Sequence, residues 1–174
     1  MATIKKPAPR RVPDATEDLG VVDGLVQLSF AVQAMVGAVT ARFDCSIIQT
    51  RLLGALRDRE LSMAQIARLL TLDKSSVTGL VDRAEGRGYV KRTTTVEDGR
   101  SILVTLTSEG RGIINKVALD VAREIHSIAD RLSDTERARL SQTASKLVHL
   151  DAAARGIDLQ TGRRESAVSS RKGA

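Results

Sequence analysis

Between Leu61 and Leu106 the chain sets two short helix signatures directly before two β-type runs joined by a glycine-bearing loop, an order that few folds accept. Ser62-Met63-Ala64-Gln65 is a capping box, in which the Ser62 hydroxyl satisfies the Gln65 amide while the Gln65 side chain reaches back, so a helix starts here. Met63, Ile66, Ala67, Leu69 and Leu70 recur at spacings of three and four and give that helix one apolar stripe. Thr71 and Leu72 form a turn, and Asp73 caps a second helix with Val77, Leu80, Val81 and Ala84 on its inner face. Gly88 suits the C-terminal stop. Tyr89 to Thr95 and Ser101 to Leu106 then alternate or run β-branched around Val96-Glu97-Asp98-Gly99-Arg100, which predicts a hairpin.

Helix, turn, helix and hairpin in this order read as a winged helix-turn-helix, a module that binds duplex DNA. The second helix turns Lys74, Ser75, Ser76, Thr78, Gly79, Asp82 and Arg83 outward. Short hydroxyl side chains in its first turns can approach base edges and phosphates without obstruction. Lys91 and Arg92 at the base of the hairpin suit phosphate contact. Arg100, beside the loop tip, is long and planar enough to enter a minor groove, with Asp98 placed to brace it.

The flanking segments are helical as well. Leu25, Leu28, Val32, Met35 and Val39 hold a three-four spacing between Leu19 and Phe43. Ser46-x-x-Gln49 repeats the capping-box chemistry ahead of Ile48, Leu52, Leu53 and Leu56. Thr107 opens a long helix with Ile114, Val117, Val121, Ile125, Ile128 and Leu132, and Ser133-Asp134-Thr135-Glu136 caps a last one with Leu140, Ala144 and Leu147. These stripes exceed what one small head can cover, so pairing with a second copy is expected. The fold class is therefore mainly α with a small β-hairpin wing, the winged helix-turn-helix at about 46–106 lying between dimerisation helices at about 19–43 and 107–154.

Several segments together resemble the MarR family of bacterial transcription regulators over roughly Leu19 to Ala154. They are Leu72-Asp73-Lys74-Ser75-Ser76-Val77-Thr78, Val81-Asp82-Arg83, Gly88-Tyr89-Val90-Lys91-Arg92, Asp98-Gly99-Arg100 and Leu106-Thr107-Ser108-Glu109-Gly110. Gly79 stands where many relatives carry a longer side chain, and Ala84 replaces a usual leucine. The resemblance implies that Asp98 and Arg100 form the wing signature and that Ser75, Ser76 and Thr78 lie on the recognition helix. It also implies that the terminal helices build a homodimer, whose two recognition helices, about 34–36 Å apart, would read half-sites one turn apart on a pseudo-palindromic operator. A cleft between dimerisation helices and head would take a small, anionic or phenolic effector, for which Phe30, Met35, Phe43 and Arg51 are candidate walls and anion partner. Some relatives sense oxidants through cysteine, which makes Cys45 a redox candidate; its place one residue outside a helix cap fits a small packing hydrophobe better.

Composition adds limits rather than detail. The chain of 174 residues carries 27 Lys and Arg against 21 Asp and Glu, a formal charge of +6 that favours polyanionic partners. The charge is not concentrated in the head: Ser62 to Thr107 holds seven basic and five acidic residues. Residues 1–18, with Pro7, Pro9 and Pro13, and 155–174 read as disordered basic arms. One cysteine excludes an internal disulfide. No phosphate loop, metal-ligand cluster or nucleophile elbow is present, and His126 and His149 stand apart on separate helices, so neither enzyme, cofactor nor metal is expected. No apolar run of membrane-spanning length and no signal-peptide core are read, which leads to the expectation of a cytoplasmic protein. The expected function is a DNA-binding regulator, foremost a homodimeric repressor released by an effector. The alternatives are a redox sensor acting through Cys45 and an architectural DNA-binding protein without ligand control.

Overall fold

A computed structural model describes residues 18–94, 102–157 and 159. Its elements begin where the sequence supplies caps. Helix α1 (Gly20–Ala41) leads into α2 (Ile47–Ala55), whose N-cap Ser46 accepts from the Gln49 amide while Gln49 accepts from the Ser46 amide at 2.9 Å. A two-residue strand β1 (Leu61–Ser62) precedes α3 (Met63–Leu70), where Ser62 and Gln65 close the second such box. Asp73 caps α4 (Lys74–Gly86), Thr107 caps α5 (Ser108–Ala129) and Ser133 with Glu136 caps α6 (Asp134–Ala154). Each cap contributes about 1 kcal/mol to fixing the register of its helix.

The α3–α4 turn passes through Thr71 in the left-handed region (φ 56°), and the Leu72 amide donates back to the Ala67 carbonyl at 2.9 Å. Helix α4 ends as predicted at Gly88 (φ 72°), where Gly88 N donates to Glu85 O and Tyr89 N to Ala84 O, a Schellman closure that turns the chain into the sheet. Strands β2 (Val90–Thr94) and β3 (Ile102–Leu106) pair antiparallel from Val90 opposite Leu106 to Thr94 opposite Ile102. The predicted hairpin is thus present, but it is not alone. Leu61 pairs with Val104 and Ser62 with Leu103, so β1 completes a three-stranded sheet of order β1-β3-β2. Two residues are too few to show a period of two, which is why this strand is not legible as one.

The core lies in the head. Leu52 and Leu53 of α2 and its C-cap Leu56 pack with Ile66 of α3, Val77, Leu80 and Val81 of α4, and Val90 and Val104 of the sheet. The start of α5 is fastened to the α4–β2 corner: Thr107 Oγ1 donates to Gly88 O at 2.6 Å, the Thr107 amide donates to Tyr89 O at 3.0 Å, and Gly110 lies directly on the Tyr89 backbone. The long helices reach this core only at one end, through Val39 of α1 and Ile114 and Val117 of α5. Beyond those points their predicted apolar stripes, Leu25 and Leu28, Ile125 and Ile128, Leu140 and Leu147, are exposed.

One expectation needs correction. Helix α1 is long and apolar enough to cross a membrane by length and composition, because the 18 residues from Gly24 to Ala41 include no charged side chain. Gln27, Ser29 and Gln33 interrupt the run in the sequence without adding charge. The described residues at the start of the C-terminal arm turn back onto the head. Gly156 (φ 61°) reverses the chain, Ile157 N donates to Ala152 O at 2.8 Å, Arg155 donates to the Thr71 hydroxyl at 3.1 Å, and Arg59 donates to Leu159 O at 3.2 Å.

Candidate nucleic-acid interface

The outer face of α4 is built from its cap. The Ser76 amide donates to Asp73 Oδ1 at 2.7 Å, and the hydroxyls of Ser75 and Ser76 also reach the Asp73 carboxylate. Those bonds, led by the Ser75 and Ser76 hydroxyls, hold Asp73 well below the ordinary carboxylate range, so it is ionised at neutral pH. Lys74, Ser75, Ser76, Thr78 and Arg83 are exposed along this face as the sequence predicts, and Gly79 lies half-buried beside Arg83. A cavity of about 360 Å³ opens there, lined by Ser75, Ser76, Gly79 and Arg83 over a floor of Ile48, Leu72 and Leu80.

Two arginines beyond the C-terminal end of α4 make contacts that the sequence does not show. Arg92, read from sequence as a phosphate contact, is held by two carboxylates of α4: Nη2 lies 2.5 Å from Asp82 Oδ1, Nη1 is paired with Glu85, and the Arg92 amide donates to Glu85 Oε1 at 3.2 Å. Its guanidinium braces the wing against the recognition helix, which leaves Lys91 as the exposed cation at the wing base. Arg87 was not singled out by sequence reasoning. It donates to the Asp44 carbonyl, pairs with the Asp44 carboxylate at 3.2 Å, stacks 4.9 Å over the Tyr89 ring and donates to the Tyr89 hydroxyl at 3.1 Å. It therefore ties the end of α4 to the corner between α1 and α2. A cation one residue after the helix and two before an aromatic was the only signal for it.

Asp98 and Arg100 lie outside the described residues. Cys45 is 6 % exposed and belongs to the core. Burial pushes its thiol above the ordinary value, Arg87 pulls the other way and Asp44 adds to burial. Cys45→Ala is therefore expected to lower the thermal midpoint by a few degrees through lost packing and to leave any peroxide response of DNA binding unchanged. If peroxide released the wild type from DNA and not this variant, the thiol would return to a sensing role. His126 faces Asp130 at 3.8 Å and His149 hydrogen-bonds Ser145 O at 2.7 Å, both exposed; no group of three potential metal ligands occurs among the described residues.

Of the four effector candidates, Phe43 lines a groove of about 410 Å³ with Lys116, Leu119, Asp120 and Arg123 of α5. Phe30, Met35 and Arg51 do not line it: Phe30 is 60 % exposed farther up α1, and Arg51 is exposed on α2. Three-four spacing on α1 could not reveal that its middle lies beyond the head.

Head, recognition helix and wing strands define a winged helix-turn-helix DNA-binding protein. Residues 43–101 match the MarR family. The regulator TtmR of Methylorubrum extorquens is 30 % identical over 141 residues, 76 % of this chain and 72 % of TtmR, and PecS of Dickeya dadantii is 27 % identical over 128 residues, 71 % and 77 % of the two chains. The chain belongs to the MarR family, and it is a DNA-binding transcriptional regulator. Among solved structures, RV1404 of Mycobacterium tuberculosis superposes with a TM-score of 0.66 at 26 % identity, covering 75 % of this chain and 90 % of that one. The same fold occurs in mutant MarR of E. coli complexed with operator DNA (TM-score 0.60, 21 % identity, 71 % and 89 % covered) and in NadR complexed with 4-hydroxyphenylacetate (0.63, 21 %, 78 % and 97 %).

Proposed function

We propose that this regulator is a homodimeric repressor in the cytoplasm that occupies a pseudo-palindromic operator and leaves it when a small anionic or phenolic compound enters the groove at Phe43. The observation that carries the dimer is the complete head beside three helices whose apolar faces are uncovered, from Val21 to Phe30 on α1, at Leu119, Ile125 and Ile128 on α5, and at Leu140, Leu147 and Leu150 on α6. Exposed apolar area on this scale marks an interface, and a shared interface gives the charge-free stretch of α1 a place other than lipid. Two heads then engage two half-sites. For the effector, Phe43 supplies an aromatic wall and Lys116 an anion partner. That α5 both lines the groove and is fastened to the α4–β2 corner gives a bound compound a route to the reading head. Titrating operator-bound protein with small aromatic carboxylates, 4-hydroxyphenylacetate among them, tests release. Unchanged operator affinity across the panel would favour an architectural protein without ligand control.

The wing supplies a separate test. Arg100→Ala is expected to weaken operator binding at least about tenfold without altering the thermal midpoint. The loss should be largest on sites with A·T-rich flanks, and the logarithmic salt slope should fall by about two for a dimer, one phosphate-equivalent per wing. Fluorescence anisotropy across a salt series measures both. Wild-type affinity and slope would return Arg100 to the solvated surface.

A further inference from the structure

The three exposed hydroxyls in the first turns of α4 have all committed their hydrogens within the helix. Ser75 Oγ lies 2.6 Å from Asp73 Oδ1, Ser76 Oγ lies 2.6 Å from Asp73 Oδ2, and Thr78 Oγ1 lies 2.9 Å from the Lys74 carbonyl oxygen. A carbonyl oxygen and an ionised carboxylate have no hydrogen to give, so in each pair the hydroxyl is the donor. What each retains for a ligand is lone pairs.

Resting on the reading of α4 as the helix that enters the major groove, we propose that Ser75, Ser76 and Thr78 read the operator as hydrogen-bond acceptors only. They select the amino edges of cytosine and adenine, with Asp73 as the positioning residue that fixes their polarity. In that groove only cytosine N4 and adenine N6 donate, whereas guanine and thymine present O6, N7 or O4. A freely rotating hydroxyl serves either kind of edge, while one tethered by its hydrogen meets guanine or thymine lone pair to lone pair. The Asp73 carboxylate also repels phosphate, which weakens binding to every duplex alike.

The test uses the full chain and its preferred sites, recovered by selection from a random duplex library. On those sites, purine in place of adenine, or a pyrimidinone lacking the 4-amino group in place of cytosine, should weaken binding about 2- to 10-fold at positions under α4. Asp73→Asn keeps the cap, because asparagine caps as well as aspartate, but sets an amide NH2 where Oδ2 now faces Ser76. Ser76 must then turn its hydrogen outward. Selection with Asp73→Asn should shift one position per half-site from cytosine toward guanine or thymine by at least about 2-fold, after the uniform gain from the lost negative charge is divided out on random duplex. Ser76→Ala should lose the preference there without acquiring the new one. Equal binding of the deaminated analogues, or the same selected sites with Asp73→Asn, would overturn the acceptor reading while leaving the DNA-binding reading intact. Recovery of no preferred site by the wild type would instead overturn base reading by α4, and this inference with it.

Discussion

Gly110→Ala is expected to be the most destructive single-methyl change in the head, costing at least about 3 kcal/mol and leaving a chain that fails to unfold cooperatively. A Cβ at Gly110 would stand 2.0 Å from the Tyr89 carbonyl oxygen and 2.8 Å from its carbonyl carbon, and these are backbone atoms that cannot swing away. The same carbonyl accepts the Thr107 amide, so moving it undoes the junction between α5 and the α4–β2 corner. Gly112, two residues along the same helix, has nothing within 4 Å of where a Cβ would stand, and Gly112→Ala should stabilise by up to about 1 kcal/mol through helix propensity. Thermal unfolding of the two variants side by side separates steric conflict from propensity. A Gly110→Ala protein as stable as wild type would mean that α5 does not start against Tyr89.

Replacing both Leu25 and Leu28 by Glu should convert the protein to monomers. These side chains are 48 % and 46 % exposed in the single chain, so charge there costs the head nothing, whereas four carboxylates brought into an apolar interface between two copies are prohibitive. Operator affinity should fall by at least about 10²-fold, because two heads joined in one molecule gain that much or more from effective concentration. The affinity of one head for random duplex should be nearly unchanged. Sedimentation reports the mass and anisotropy the affinity, and a variant that still sediments as a dimer would remove this face of α1 from the interface.

What the sequence made legible was local chemistry. Capping boxes at Ser46, Ser62 and Ser133, the Asp73 cap and the Gly88 stop each involve residues within a few positions of one another, and each forms as read. The inner face of α4 was equally plain, since Val77, Leu80, Val81 and Ala84 are all buried. The departures lie where the partner is distant or acidic. Leu61 and Ser62 become a strand only because Val104 and Leu103 lie alongside. Arg92 has the right type and place for a phosphate contact, and only the fold brings Asp82 and Glu85 within reach of it. Arg87 is the converse, a residue without motif whose partner Asp44 is 43 positions away. Phe43 was read as a candidate wall and the residues that line a groove with it were not, because Lys116, Leu119 and Arg123 come from a helix on the far side of the sheet in sequence.

Under the proposed mode of binding, the Arg92 brace also bears on which partner bends when protein and DNA meet. Two carboxylates on α4 and one guanidinium on β2 tie the reading helix to the root of the wing, so the two act as the jaws of a caliper with one gap between them. A duplex whose adjacent major and minor grooves do not match that gap must therefore deform to fit, and the energy of doing so depends on base steps that no side chain touches. Flexible pyrimidine–purine steps between the two contacts would thereby become part of the recognition sequence, written in the stiffness of the DNA.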